Sequence, residues 1–223
     1  MTNQQIIDMI DYTLLTPTAT KDDITLFCNE TIEHGFNTVF VNPYYVKHAV
    51  ELLSPHNIKV GVPIGFSLGG ATTHTKVTET KEAIQNGATE IDMLINLGAL
   101  KSKEFDVVRD DIAAVVRASE GLTTKVIIET ALLTNEEKIT ACKLIMDAGA
   151  DFVKTATGFN GGGATVEDVQ LLRSVVGNDF GVKAAGGVRT YEDAINIIKA
   201  GANRIGTSGA IAIISGQTST ASY

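Results

Sequence analysis

"GADFVKTATGF", residues 149–159, carries in one short stretch the unit from which the whole chain is built. A glycine and a small residue close a helix-like segment, an apolar strand follows at once, and a Thr/Gly-rich turn ends it. The same opening recurs in "HGFNTVF" (34–40), "NGATEIDM" (86–93) and "AGANRIG" (200–206). Between such openings the pattern alternates. Strand-like runs are "MIDYTLL", "NTVFVN", "KVGVPIGF", "EIDMLIN", "KVIIETA", "DFVKTA", "FGVKAAG" and "NRIGTS". Helix-like segments separate them, from "KDDITLFCNETIEHG" to "TYEDAINIIKAG", with a short last one around "GAIAIIS". Eight strands alternating with helices over 223 residues suit a (β/α)8 TIM barrel better than an open doubly wound sheet. No linker or low-complexity segment interrupts the alternation, so residues 1–223 are expected to form a single domain, with 215–223, "SGQTSTASY", as a mobile tail.

The composition is that of a globular protein, with 44% hydrophobic and 20% charged residues. A formal charge of −8 argues against a nucleic-acid partner, which is usually met by a basic face. The longest apolar runs are too short to span a bilayer, and the N-terminus has no basic region ahead of an apolar one, so the expected location is cytoplasmic. Cys28 and Cys142 lack metal or redox spacing and read as buried free thiols. His34, His48, His56 and His74 are dispersed, so no metal site and no cofactor is read from them.

Two lysines stand out. Lys154 and Lys183 fall at the ends of strands six and seven, among apolar neighbours where an unpaired ammonium costs several kcal/mol as an order of magnitude. Adjacent strands of a barrel would bring both amines to the C-terminal mouth, where the chemistry of this architecture sits. Burial and like charge both favour a neutral amine, the form that condenses with a carbonyl. The alternative is a pair of lysines snorkelling to solvent. Asp92, inside strand four, could hold an ammonium or relay a proton, or could be an ion-paired structural carboxylate; Asp11 on strand one has a similar place and a weaker signal. A second group is built of glycines: Gly158 after strand six, Gly186 and Gly187 after strand seven, and Gly206 and Gly209 around Ser208 after strand eight. Their N–H groups could close on a phosphate, with Arg189 adding a charge or making a surface ion pair. "GGATVEDV" lacks a dinucleotide fingerprint and reads as a helix start with Thr165 as N-cap.

The chain resembles the deoxyribose-phosphate aldolase family in "IDYTLLTPTAT", "TVFVNPYYV", "GVPIGFSLGGATTHTKVTET", "EIDMLINLGAL", "DFVKTATGF", "GVKAAGGVRT" and "RIGTSGA", which together cover almost its whole length. The resemblance implies a class I, metal-independent lyase of deoxyribonucleoside catabolism. Its reaction would be the reversible retro-aldol cleavage of 2-deoxy-D-ribose 5-phosphate to D-glyceraldehyde 3-phosphate and acetaldehyde. It further implies Lys154 as the Schiff-base lysine, Lys183 as the second lysine of the proton relay and Asp92 as the relay's acid/base. Gly158, Gly186, Gly187, Gly206 and Ser208 would bind phosphate, and Tyr223 at the C-terminus would help protonate the enamine. Ala156, Gly209 and Phe40 depart from the residues common in relatives, as do Tyr12 and Thr16. Gly209 in place of a serine removes one possible phosphate ligand. The partners implied are small molecules, without nucleic acid or membrane, and a homodimer is compatible with the reading. A phosphosugar isomerase, another Schiff-base lyase or a barrel that only binds a sugar phosphate compete with it, since fold does not fix function.

Overall fold

A computed structural model describes residues 1–220. Eight parallel strands close on themselves in chain order: β1 (Ile10–Leu14), β2 (Thr38–Val41), β3 (Lys59–Ile64), β4 (Glu90–Leu94), β5 (Thr123–Ile127), β6 (Phe152–Lys154), β7 (Gly181–Ala185) and β8 (Arg204–Thr207). The helices are α1 (Asn3–Ile7), α2 (Lys21–His34), α3 (Val46–Leu53), α4 (Thr73–Gln85), α5 (Leu97–Lys101), α6 (Phe105–Ala118), α7 (Asn135–Asp147), α8 (Val166–Val176), α9 (Tyr191–Lys199) and α10 (Ala210–Ile214). This is the (β/α)8 barrel expected from the alternation.

The local signals act as read. Gly35 caps α2 in the left-handed region at φ 73°, where a side chain would be strained, and Phe36 turns straight into the core. Thr165 caps α8 by accepting from the Asp168 amide. Two helices, α1 and α5, lie outside the alternation read from the sequence. Each has five residues, too few for an apolar period to show, and each is set by a cap, Thr2 in a capping box and Asn96 accepting from the Ala99 amide. Among the described residues no helix is long and apolar enough to cross a membrane. Cys28 and Cys142 are both buried free thiols, and burial pushes each up to about 12.

Apolar side chains fill the space between strands and helices, for example Ile24, Ile112, Ile145 and Leu172. The barrel interior is different. Strand side chains alternate in and out, and in such barrels alternate strands contribute four inward residues to each layer. Thr38, Glu90, Phe152 and Arg204 form the lowest set, Asp11, Gly61, Lys125 and Lys183 the middle one, and Phe40, Asp92, Lys154 and Gly206 the uppermost. Contacts run within and between the sets: Arg204 reaches Glu90 and Thr38 within the lowest and Lys183 reaches Asp11 within the middle, while Lys125 reaches down to Glu90 and up to Asp92, and Lys183 up to Asp92.

The two glycines make room for this interior. A Cβ at Gly61 would lie 2.3 Å from Phe40 Cζ, and one at Gly206 would lie 3.1 Å from both Lys183 Cε and Ala185 Cβ. Gly61→Ala therefore forces the fully enclosed Phe40 ring to move. The expected cost is about 1–3 kcal/mol of overpacking, read as a lower midpoint in thermal or denaturant unfolding. An unchanged midpoint would contradict this packing.

Candidate active site

Lys154 is the last residue of β6 and pairs in register with Lys183 of β7. Asp92 lies inside β4, and its two oxygens divide three ammoniums. Oδ2 accepts from Lys154 Nζ at 2.8 Å and from Lys183 Nζ at 2.7 Å, while Oδ1 accepts from Lys125 Nζ at 3.1 Å. Lys183 also reaches Asp11 Oδ2 at 2.5 Å, and Arg204 bridges Asp11 and Glu90 at 2.7 and 3.1 Å. Lys154 and Lys183 are 5% and 0% exposed, so neither snorkels to solvent.

One placement corrects the sequence reading. Lys183 is the middle residue of β7 and not its end, because the strand continues through two buried alanines. It thus lies one layer below Lys154, enclosed, while Lys154 faces the mouth.

Four cations, Lys125, Lys154, Lys183 and Arg204, meet three carboxylates, Asp11, Glu90 and Asp92, and the exposed Lys59 adds a longer contact to Glu90 at 3.5 Å. With a cation in excess, the cluster can release one proton without stranding a carboxylate. Burial pushes the Asp92 carboxyl upward, but the ammoniums of Lys125, Lys154 and Lys183 outweigh it and hold Asp92 well below the usual range. Asp11 is lowered in the same way, burial being overcome by Lys183, Lys125 and Arg204. Lys125 goes up, since Asp92, Asp11 and Glu90 overcome its burial. Lys183 goes down to about 8. Burial is the main cause, Asp11 and Asp92 oppose it, and Lys154 and Lys125 add to it. The like-charge effect expected from the sequence is present at Lys183, but desolvation is the larger part.

The ring of Phe40 lies against the amines. Its centroid is 3.7 Å from Lys183 Nζ, 4.6 Å from Lys125 Nζ and 5.7 Å from Lys154 Nζ. An aromatic face attracts such cations while keeping water away from them.

Beside this cluster a cleft of about 440 Å3 opens across the loops after β6, β7 and β8. Gly158, Gly186, Gly187 and Ser208 line it, as do Arg189 and Gly209. Gly206 does not: it sits within β8 and leaves space for Lys183. The chain connects both sites closely, because Gly158 follows Lys154 by four residues and Gly186 follows Lys183 by three.

The cleft also uses Gly161, which the sequence reading passed over, and Gly162 and Gly163, which it assigned only to a helix start. Gly186, at φ 80°, comes so near this run that a Cβ on it would lie 2.9 Å from Gly163 Cα. The Ala164 amide donates to the Gly186 carbonyl at 2.9 Å and locks the two loops together. Buried Glu129, two residues past the end of β5, holds the β6 loop. It accepts from Thr157 Oγ1 at 2.6 Å and from Asn160 Nδ2 at 2.8 Å. Lys125, Glu90, Arg204 and Glu129 were all missed by the sequence reading. Tyr223 lies outside the described residues. Among those described, no group of three or more His, Cys, Asp and Glu side chains could hold a metal ion.

A buried carboxylate shared by two lysine amines, one of them facing an opening, is suited to imine chemistry with proton transfer. An adjoining cleft lined by glycine and serine is suited to a small anion. Known proteins resemble this chain over almost its whole length. The DeoC/LacD family aldolase model matches residues 6–216. The chain is 64% identical to deoxyribose-phosphate aldolase 2 of Oceanobacillus iheyensis over 223 residues, all of both chains. It is 56% identical over 220 residues to the deoxyribose-phosphate aldolase of Thermococcus kodakarensis, covering 97% of this chain and 98% of that one. Among solved structures, a tetrameric deoxyribose phosphate aldolase from Aeropyrum pernix superposes with a TM-score of 0.90 at 32% identity, covering 96% of this chain and 91% of the other.

Proposed function

We propose that this chain, which belongs to the DeoC/LacD family of aldolases, cleaves 2-deoxy-D-ribose 5-phosphate reversibly to D-glyceraldehyde 3-phosphate and acetaldehyde. The observation that carries the reading is the pair of lysine amines on one oxygen of Asp92, next to a cleft of glycines and Ser208.

In this reading Lys154 Nζ attacks C1 of the open-chain sugar and, with loss of water, forms a protonated imine. The C2–C3 bond then breaks, its electron pair moving into the imine to leave an enamine on Lys154. The C3 hydroxyl gives its proton to a water held by Asp92 and Lys183, and D-glyceraldehyde 3-phosphate departs. Protonation of the enamine carbon, assisted by Tyr223, and hydrolysis of the new imine free acetaldehyde and the amine. Asp92 Oδ2 touches both amines, so a proton can pass between Lys154 and Lys183 through a single oxygen. The cleft binds the phosphate and orients the reacting end with energy drawn from a group that does not react. The partners in this reading are small molecules. The relative from Aeropyrum pernix is tetrameric.

Release of both aldehydes from deoxyribose 5-phosphate, followed with enzymes specific for each, tests the activity. An isomerised pentose phosphate with no acetaldehyde would favour the isomerase reading instead. The relay also sets a pH dependence. Lys183 loses its ammonium near pH 8, so kcat/KM is expected to fall on the alkaline side with a midpoint near that value. A flat profile from pH 7 to pH 9 in the wild-type chain would contradict a relay through Lys183. Stability moves the other way. Between about 8 and the ordinary 10.5 the unfolded chain holds a proton at this site that the folded one has lost, so the Lys183 contribution to stability rises with pH across that window.

A further inference from the structure

Glu129 is a buried carboxylate to which the mechanism above gives no task. It is 0% exposed, and among the described residues its partners are Thr157 and Asn160, neither of them a cation. Its backbone sits in the left-handed region at φ 55° and ψ 65°, which residues other than glycine seldom adopt. A buried charge without a counter-ion and a left-handed backbone both work against the folded state, and such positions persist where the surroundings hold them for a function.

The contacts around it show what is held. β5 and β6 go on pairing beyond their last residues: the Ile128 amide donates to the Lys154 carbonyl at 3.0 Å and the Thr130 amide to the Thr155 carbonyl at 2.9 Å. Between these two, Glu129 turns its side chain to the loop after β6 and serves there as the next acceptor. It takes the Thr157 amide at 3.2 Å and Thr157 Oγ1 at 2.6 Å. With its proton committed to Glu129, Thr157 Oγ1 accepts from the Phe159 amide at 3.0 Å, which closes the turn at Gly158, φ 87°. Asn160 Nδ2 donates to Glu129 Oε2 and to the Ser67 carbonyl, at 2.8 Å each, so the loop after β3 is tied to the same carboxylate. The far end of the β6 loop is fastened separately, by the Ala164 amide on the Gly186 carbonyl. We propose that Glu129 is a positioning residue of the aldolase reaction: through Thr157 and Asn160 it fixes the turn at Gly158, and so the wall of the cleft against which the substrate lies while Lys154 attacks it. Glu129 itself touches no reacting atom. The proposal rests on the aldolase reading and adds to it the group that shapes this loop.

Glu129→Gln keeps the shape of the side chain and puts an N–H donor where Thr157 and Asn160 need an acceptor. KM for deoxyribose 5-phosphate is expected to rise about tenfold, the scale of losing a hydrogen bond to a charged group, with kcat changed less than about threefold. The rate of borohydride trapping with acetaldehyde, which needs the Lys154 amine and not the loop, is expected to stay within about threefold of the wild type. Asn160→Ala removes one donor and the tie to Ser67, and is expected to raise KM in the same direction by about threefold. An unchanged KM in Glu129→Gln, with only the melting midpoint lowered, would make Glu129 a structural residue and overturn the proposal. Trapping slowed as much as kcat/KM would overturn it as well, by placing the effect on the amine. Should Glu129→Gln fail to fold, Asn160→Ala decides on the same two readouts. The wild-type chain answers separately for the aldolase reading: without an acetaldehyde adduct that reading fails whatever the variants do.

Discussion

Lys154→Leu is expected to abolish turnover of deoxyribose 5-phosphate, lowering kcat/KM by at least about 10^4-fold, while the protein stays folded. The size follows from removing the covalent step itself, since loss of a nucleophile leaves only binding and electrostatic effects. The retained fold follows from the position of the residue. Lys154 is the uppermost amine, and without it Asp92 still pairs with Lys125 at 3.1 Å and Lys183 at 2.7 Å. No carboxylate is left without a cation, and leucine suits the ring of Phe40 beside it. Aldehyde release and a melting curve on the same sample check both halves. Activity within tenfold of the wild type would remove Lys154 from the proposed mechanism.

Asp92→Asn is expected to fail in both respects. The amide keeps the shape of the carboxylate but withdraws the charge shared by Lys125, Lys154 and Lys183. Breaking a buried ion cluster by removing one partner costs about 3–5 kcal/mol, which for a chain of this size is on the order of 10 °C in the melting midpoint. Turnover is expected to fall too, since the oxygen through which the two amines exchange a proton is gone. The stability gap should depend on pH. The folded-state value for Asp92 lies below its ordinary 3.8, so its contribution is complete above that pH and is lost as pH falls below it. Melting curves of both proteins from neutral to acid pH should therefore converge. Equal midpoints at pH 7 would mean that these charges are not coupled as the distances indicate.

Much of this was legible in the sequence, because barrel strands announce themselves through glycine-capped helices and apolar runs. Lys154, Lys183 and Asp92 were legible because a charge in such a run needs a reason. The same argument should have found Lys125, a lysine inside "TTKVIIET", and Glu90, two residues before Asp92 and so on the same face of β4. The i, i+2 spacing repeats in Thr38 and Phe40, Phe152 and Lys154, and Arg204 and Gly206, so the layers of the interior were written in the strands. They became visible only once the strand register was known, because which residues meet across a barrel depends on its stagger. Gly206 was misplaced for a related reason: a glycine near a strand end reads as a loop glycine until the strand is seen to run through it. The crowding of Gly209 by the Ser219 side chain could not be read at all, since a reversal of the chain after α10, where the Gln217 amide donates to the Ala212 carbonyl, brings the two together.

The central claim is that Lys154 forms the imine, and borohydride trapping tests it directly. The wild-type chain is incubated with acetaldehyde or deoxyribose 5-phosphate, reduced and mapped by peptide mass. The account predicts one stable adduct, located on Lys154 and absent from Lys154→Leu. No adduct on any lysine of the folded protein, or an adduct on Lys183 with Lys154 unmodified, would contradict it.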